Sequence, residues 1–352
     1  MLNRKDFLKN TAISIPFISL FSFTEKAEKN TTDFAKIIKA KKLNKGDTIG
    51  LVSPASNTMN ASEIDIVVET YEALGLKVKK GKHLLDRWGY LAGTDIDRAQ
   101  DINDMFADDA VHAVMPITGG WGCARILPYI NYELIAKHPK PFMGFSDITA
   151  LLIAFYAKCG LITFHGPNAA RSNYNAFTLQ YVQGLLFNNE ALIFKNVPFA
   201  QDEIALNRER ILTITPGKAT GRLVGGNLTV LCHIIGSAYL PNWDNVILFI
   251  EDTGEKIYRI DRMLTQLKLA GILDNVKGIV FGKCSNCDHD GGISGFTLEE
   301  VLTINLGNLN KPVFSGGMFG HVRDKFTLPH GALVEIDASA GTITMLEKAL
   351  VG

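Results

Sequence analysis

The stretch from Lys140 to Tyr156 constrains the fold more than any other part of the chain. Pro141 to Phe145 is a short apolar run that reads as the end of a buried strand. From Asp147 onward, Ile148, Leu151, Leu152, Phe155 and Tyr156 recur at helical spacing. Ser146 sits at the join, and Gly144 just before it allows a sharp turn. Two readings of Ser146 follow. In one it caps the helix, as serine often does. In the other it is a nucleophile, its hydroxyl at the C-terminal edge of a sheet and beside the first free N–H groups of the helix. This stretch alone leaves both open.

The chain around it has room for two domains with cores of their own, at 352 residues. Lys+Arg and Asp+Glu are balanced at 36 each, so no field for nucleic acid or an anionic membrane surface is expected. The cysteines are Cys123, Cys159, Cys232, Cys284 and Cys287, a sparse odd set that argues against a disulfide framework. Residues 1–30 read as a signal peptide and polar leader. Arg4, Lys5 and Lys9 precede an apolar run from Thr11 to Phe23, after which the chain turns polar. That run is short for a bilayer span, so no stable membrane anchor is expected. Arg4 to Lys9 looks like a twin-arginine export signal with lysine in the second arginine's place, which leaves the Tat and Sec routes both open. The expectation is an exported, periplasmic protein, or a cytoplasmic one if the segment is not a working signal.

Strand and helix patterns alternate through residues 42–167, which read as an N-terminal α/β domain. Asp47 to Val52 is strand-like and runs into a Ser/Pro loop; Glu63 to Leu74 has helical spacing and ends at Gly75. Lys77 to Lys79 is the next strand, and Arg98 to Phe106 an amphipathic helix with Thr94 and Asp95 as candidate caps. Ala113 to Ile117 leads into Gly119-Gly120-Trp121-Gly122. This order implies a parallel, doubly wound sheet with its site at the C-terminal edge. Residues 168–207 lose the pattern and read as a partly helical inter-domain connection. Residues 208–352 read as a C-terminal domain. It contains a buried strand at Val246 to Ile250, a helix over Ile257 to Leu269, and a strand at Val276 to Phe281. Val313 runs through a loop to His321, and Ala332 to Ile336 with Thr342 to Leu346 form a closing hairpin.

Three side chains then fall just past strands. Ser146 is the first, Glu251 follows the apolar run at Val246, and His321 follows a glycine-rich loop. Together they meet the roles of a Ser-His-acid triad, in which the imidazole takes the serine proton and the carboxylate fixes its tautomer. Glu251 reads equally as a salt-bridge partner of Arg259 or Lys256, and His321 as an ordinary loop histidine. The backbone N–H groups of the Gly119 turn and of Asp147 suit an oxyanion hole. The turn matches neither a phosphate loop nor a dinucleotide fingerprint. Cys284 and Cys287, with His289 near, resemble half of a zinc clip, and a local disulfide is the other reading; no metal is expected. His165 reads as a structural histidine that borders the cleft.

The linked set of motifs resembles the LD-carboxypeptidases of peptidase family S66, which include the microcin C self-immunity peptidases. It is carried by Gly119 to Gly122, Gly144 to Leu151, Phe164 to Pro167 and Gly225 to Leu228. Ile247 to Asp252, Tyr258 to Leu264 and Phe319 to His321 continue it in order. The resemblance implies a flavodoxin-like parallel-sheet N-terminal domain and a swivelling β/β/α C-terminal domain, with the triad assembled between them. It implies Ser146 as nucleophile, Glu251 as acid, His321 as base, and the backbone of Gly120 and Asp147 as oxyanion hole. It further implies a homodimer that uses no cofactor and releases D-alanine from peptidoglycan tetrapeptides through an acyl-enzyme. Trp121, Arg125, Arg171 and Arg259 are candidates for substrate contact, the arginines for the substrate carboxylate. Two other functions fit the same pattern: an amidase acting on aminoacyl-nucleotide antibiotics, and a catalytically silent periplasmic peptide-binding protein.

Overall fold

The computed structural model describes residues 36–57, 60–169, 174–196, 210–287 and 295–352. The expected leader and Arg171 lie outside the described residues, as do His289 and its acidic neighbours. Strands β1 (Thr48–Val52), β2 (Lys77–Lys80) and β3 (Ala113–Pro116) pair in parallel in the order β2-β1-β3. A parallel bridge from Val114 to Phe142 carries the sheet on to β4 (Met143–Gly144), and β5 (Thr163–His165) pairs parallel to β4. The order 2-1-3-4-5 is that of a flavodoxin-like sheet, as expected.

Helices α1 (Ala61–Ala73) and α2 (Asp95–Ala107) start at Asn60 and Thr94, whose side chains accept from the N–H of Glu63 and Asp97. Of the two caps considered for α2, Thr94 is therefore the one used, and Asp95 opens the helix. Helix α3 (Thr149–Cys159) is buried almost all round because apolar residues cover every face, and it ends on Gly160 in the left-handed region at φ 71°.

The connection at 168–207 holds a helix, and also a strand that the sequence reading did not include. These are helix α4 (Ala176–Leu186), capped by Asn175, and β6 (Ile193–Lys195) at the edge of the second sheet. The apolar residues of α4 do keep a helical period, with Tyr181, Val182, Leu185 and Leu186 buried, but polar neighbours dilute it in the sequence.

The second sheet is built from β6, β7 (Leu212–Thr215), β8 (Lys218–Asn227), β9 (Val246–Thr253), β10 (Gly278–Ser285) and β11 (Val313–Ser315). After β12 (Leu328–His330), the hairpin β13 (Leu333–Asp337) and β14 (Thr342–Met345) completes it in the order β6-β14-β13-β8-β9-β10-β11-β7. β8 to β11 run parallel at its centre. The five apolar residues of β9 are at most 1% exposed, each contributing roughly 2 kcal/mol of burial. Helix α5 (Ile257–Leu269) packs one apolar face, Ile260, Met263, Leu264 and Leu267, toward this core.

β12 leaves this sheet altogether. It pairs antiparallel with β5, Leu328 opposite His165 and His330 opposite Thr163. The late part of the chain thus closes the edge of the first sheet, and Asp33–Gly352 forms one compact unit. No helix among the described residues is long and apolar enough to cross a membrane.

Candidate active site

Ser146 stands where β4 gives way to a single 3-10 turn, Ser146–Ile148, ahead of α3. Its φ is 64°, and the turn has no side-chain cap. A non-glycine residue in that region costs on the order of 1–2 kcal/mol and is kept where the surroundings over-determine it. The capping reading of Ser146 therefore falls away, and the α-helix itself begins at Thr149, two residues later than its apolar spacing suggests. A strained serine between strand and helix is the geometry of a nucleophile elbow.

Gly119, in the loop after β3, lies directly against it. A Cβ there would stand 3.2 Å from Ser146 Oγ and 3.3 Å from the Asp147 nitrogen. Gly120 has φ 109° and presses on Ser56, whose N–H donates to the Gly119 carbonyl at 3.3 Å. Buried Arg98 fastens this wall from behind. Its guanidinium donates to the carbonyls of Pro54 and Gly122 and to the Asp95 carboxylate. The Asp147 side chain accepts from the Cys123 N–H at 2.7 Å, and burial raises its pKa against that stabilising bond. Gly119 thus borders both the serine hydroxyl and the Asp147 nitrogen. Trp121 is 44% exposed, its ring 6.4 Å from that of His233.

Glu251 and His321 meet from the second sheet. Glu251 Oε2 lies 2.7 Å from His321 Nδ1, and the carboxylate is fully buried. Glu251 belongs to β9 rather than following it, because the strand continues to Thr253, Asn227 of β8 and Cys284 of β10 pairing with Glu251 and Asp252. The salt bridge once open to Glu251 with Arg259 is not formed, since Arg259 pairs with Glu255 at 3.4 Å. The His321 ring packs 4.8 Å from that of Phe145, the residue before the serine. No hydrogen bond joins Ser146 to His321 here, and such contacts commonly tighten only around substrate.

The two sheets are also tied at the start of α3. Thr149 Oγ1 accepts from the Asn227 N–H at 3.0 Å, and the Asn227 amide donates to Asp252 at 3.1 Å. Burial pushes the Asp252 carboxyl up to about 6, against donors from Thr253, Thr229 and Asn227.

Gly320 brings His321 to the carboxylate. Its φ is 97°, and a Cβ would fall 2.3 Å from Glu251 Oε2. Gly320→Ala is therefore expected to displace the carboxylate and lower kcat by about 100-fold, the scale of an ångström's misplacement. Steady-state kinetics beside a thermal melt check this; unchanged kcat would show the carboxylate has slack.

Among the substrate-contact candidates, Arg125 is held by Asp95 through Nε at 3.0 Å and Nη2 at 2.8 Å, and it stacks over Trp88. Arg259 pairs with Glu255 and lies against Tyr258. Both thus carry a carboxylate already. Lys325 escaped the sequence reading. It is only 3% exposed, with Nζ 4.2 Å from the centre of the Phe145 ring, and burial brings its ammonium down to about 8. A lone lysine in a polar loop gives no sign of burial; its four-residue distance from His321 was the sole cue. Cys284 and Cys287 form a disulfide, so the local bridge replaces the clip as the reading of that pair.

The sequence profile of the LD-carboxypeptidase N-terminal domain matches residues 49–166, and that of the LD-carboxypeptidase C-terminal domain matches residues 220–336. A probable murein peptide carboxypeptidase of Bacillus subtilis is 38% identical over 88% of this chain and 94% of its own. The microcin C7 self-immunity protein MccF of Escherichia coli is 33% identical, covering 87% of this chain and 94% of its own. Among solved structures, wild-type MccF without ligand superposes with a TM-score of 0.79 at 31% identity, over 89% of this chain and all of that one. Muramoyltetrapeptide carboxypeptidase from Oxalobacter formigenes gives 0.72 at 28%, over 85% and 97%. With both domain profiles matched in order, and relatives aligned over most of its length, the chain belongs to the LD-carboxypeptidase family, peptidase family S66.

Proposed function

We propose that this enzyme is a serine carboxypeptidase that hydrolyses the L,D-amide bond of peptidoglycan tetrapeptides and releases the terminal D-alanine. The observation that carries the reading is the 2.7 Å contact of His321 with a fully buried Glu251, packed against the residue that precedes a strained Ser146. In the mechanism, His321 takes the serine proton as Oγ attacks the carbonyl of the L-residue, and Glu251 steadies the resulting imidazolium. The N–H groups of Gly120 and Asp147 receive the oxyanion. His321 then returns the proton to the departing amine, D-alanine leaves, and water resolves the acyl-enzyme by the same route in reverse. The proposal includes export and a homodimer. A disulfide between Cys284 and Cys287 suits an oxidising compartment.

The similarity to MccF supports a second reading, hydrolysis of an aminoacyl-nucleotide amide. The purified protein is therefore to be given an L,D-tetrapeptide, an all-L tetrapeptide and an aspartyl sulfamoyl adenosine. D-alanine release from the first alone is expected. Cleavage of the nucleotide alone would transfer the function to the second reading, and no cleavage of any would leave a binding protein.

A further inference from the structure

We propose that His165 is a positioning residue for the triad carboxylate, its Nε2–H donating to Glu251 Oε1. The inference rests on the triad reading above and concerns the half of the carboxylate that the triad does not use. Oε2 is taken by His321 at 2.7 Å, whereas Oε1 is buried with no hydrogen-bond partner. An ionised oxygen left without a donor in a dry interior is costly, and native interiors rarely keep one. His165 Nε2 stands 4.0 Å away, and both nitrogens of that ring are likewise buried and unpartnered. Two orphaned groups of complementary kind thus face each other, and a tilt of about 1 Å brings them to ordinary hydrogen-bond length.

The surroundings suit such a brace. His165 lies on β5 opposite Gly144 of β4, two residues before the serine. Its ring packs 6.3 Å from Phe145, 5.3 Å from Phe249 of β9 and 6.4 Å from Phe319 of the His321 loop. It therefore touches the serine strand, the acid strand and the loop of the base at once. Burial first, then His330, His321 and Lys325, pushes its pKa down to about 3, so the imidazole stays neutral with one N–H. A neutral donor orients Glu251 without cancelling the charge that His321 needs when it accepts the serine proton. A cationic partner at the same place would weaken that pull.

Two measurements test this. The first does not depend on substrate: nitrogen-15 histidine spectra of the full chain, with His165 assigned by its loss in His165→Phe. The expected form is the neutral Nε2–H tautomer, with a proton resonance that moves in Glu251→Gln. An Nδ1–H tautomer, or a resonance indifferent to Glu251→Gln, overturns the proposal.

The second is kinetic, on the tetrapeptide. His165→Phe keeps a ring in the packing and is expected to lower kcat roughly 10- to 100-fold with KM within about twofold. His165→Gln, which retains an N–H, recovers part of the loss. In the Glu251→Gln background His165→Phe costs little more, because a residue acting through Glu251 has nothing left to position. Losses that multiply would reduce His165 to packing. If His165→Phe does not fold, the Gln variant supplies both assignment and kinetics. Should the wild type release no D-alanine, the proposed substrate fails while the tautomer still decides His165.

Discussion

Replacing Ser146 with alanine is expected to lower D-alanine release by about 10,000-fold or more, with tetrapeptide affinity nearly unchanged. The reason is chemical rather than structural. The hydroxyl is neither a cap nor a structural donor to the turn, so its removal leaves the 3-10 turn and α3 as they are. Alanine inherits the same strained φ of 64°, and a thermal melt should move little. What is lost is the atom proposed to form the acyl-enzyme. The wall that Gly119 makes against it persists, along with the N–H groups proposed to receive the oxyanion. Calorimetric titration with tetrapeptide, beside a turnover assay, separates these effects. Turnover within tenfold of wild type would mean that a different group attacks the carbonyl, and the serine mechanism would fall.

Much of this arrangement was legible in the sequence because it rests on local patterns. The apolar runs of β1, β3 and β9 are continuous, since strands buried on both faces have no polar side to alternate with. The glycines at 119 and 320 sit where backbones crowd the serine and the carboxylate, and both were visible as punctuation after strands.

What escaped the sequence depended on partners distant in the chain. β12 is three residues long and pairs with β5 some 160 residues earlier, so it has no period to detect. Glu251 and Asp252 look like the polar end of a strand. They remain within β9 because Asn227 and Thr229 pair with Asp252, and His321 with one oxygen of Glu251, from elsewhere. Nothing in the sequence marks Arg98 or Lys325 as buried, yet each is at most 3% exposed. Arg98 is matched by two carbonyls and Asp95, and Lys325 by the face of Phe145. Burial of a charge is decided by such matches, which composition does not encode. The arginines singled out for the substrate carboxylate illustrate the converse, for two of them hold carboxylates of the protein itself.

Glu251→Gln carries the second large effect, an expected fall in kcat of roughly 1,000- to 10,000-fold with KM little changed. The amide has nearly the shape of the carboxylate, so β9 and the loop around Gly320 need not move, and the fold is expected to hold. Its chemistry is wrong in either orientation. With the amide nitrogen toward His321, it donates to Nδ1 and forces the imidazole proton onto Nε2, leaving no base for the serine. With the amide oxygen there, the tautomer is right but no negative charge steadies the imidazolium. In a site where the acid is fully buried, water cannot stand in for that charge. Steady-state kinetics on the tetrapeptide, with Gly320→Ala as a companion, distinguish the two parts of the role. Displacement of an intact carboxylate is expected to cost about 100-fold, loss of its charge far more. A Glu251→Gln enzyme within tenfold of wild type would show that His321 works without a charged partner, and would return Glu251 to a structural part in β9.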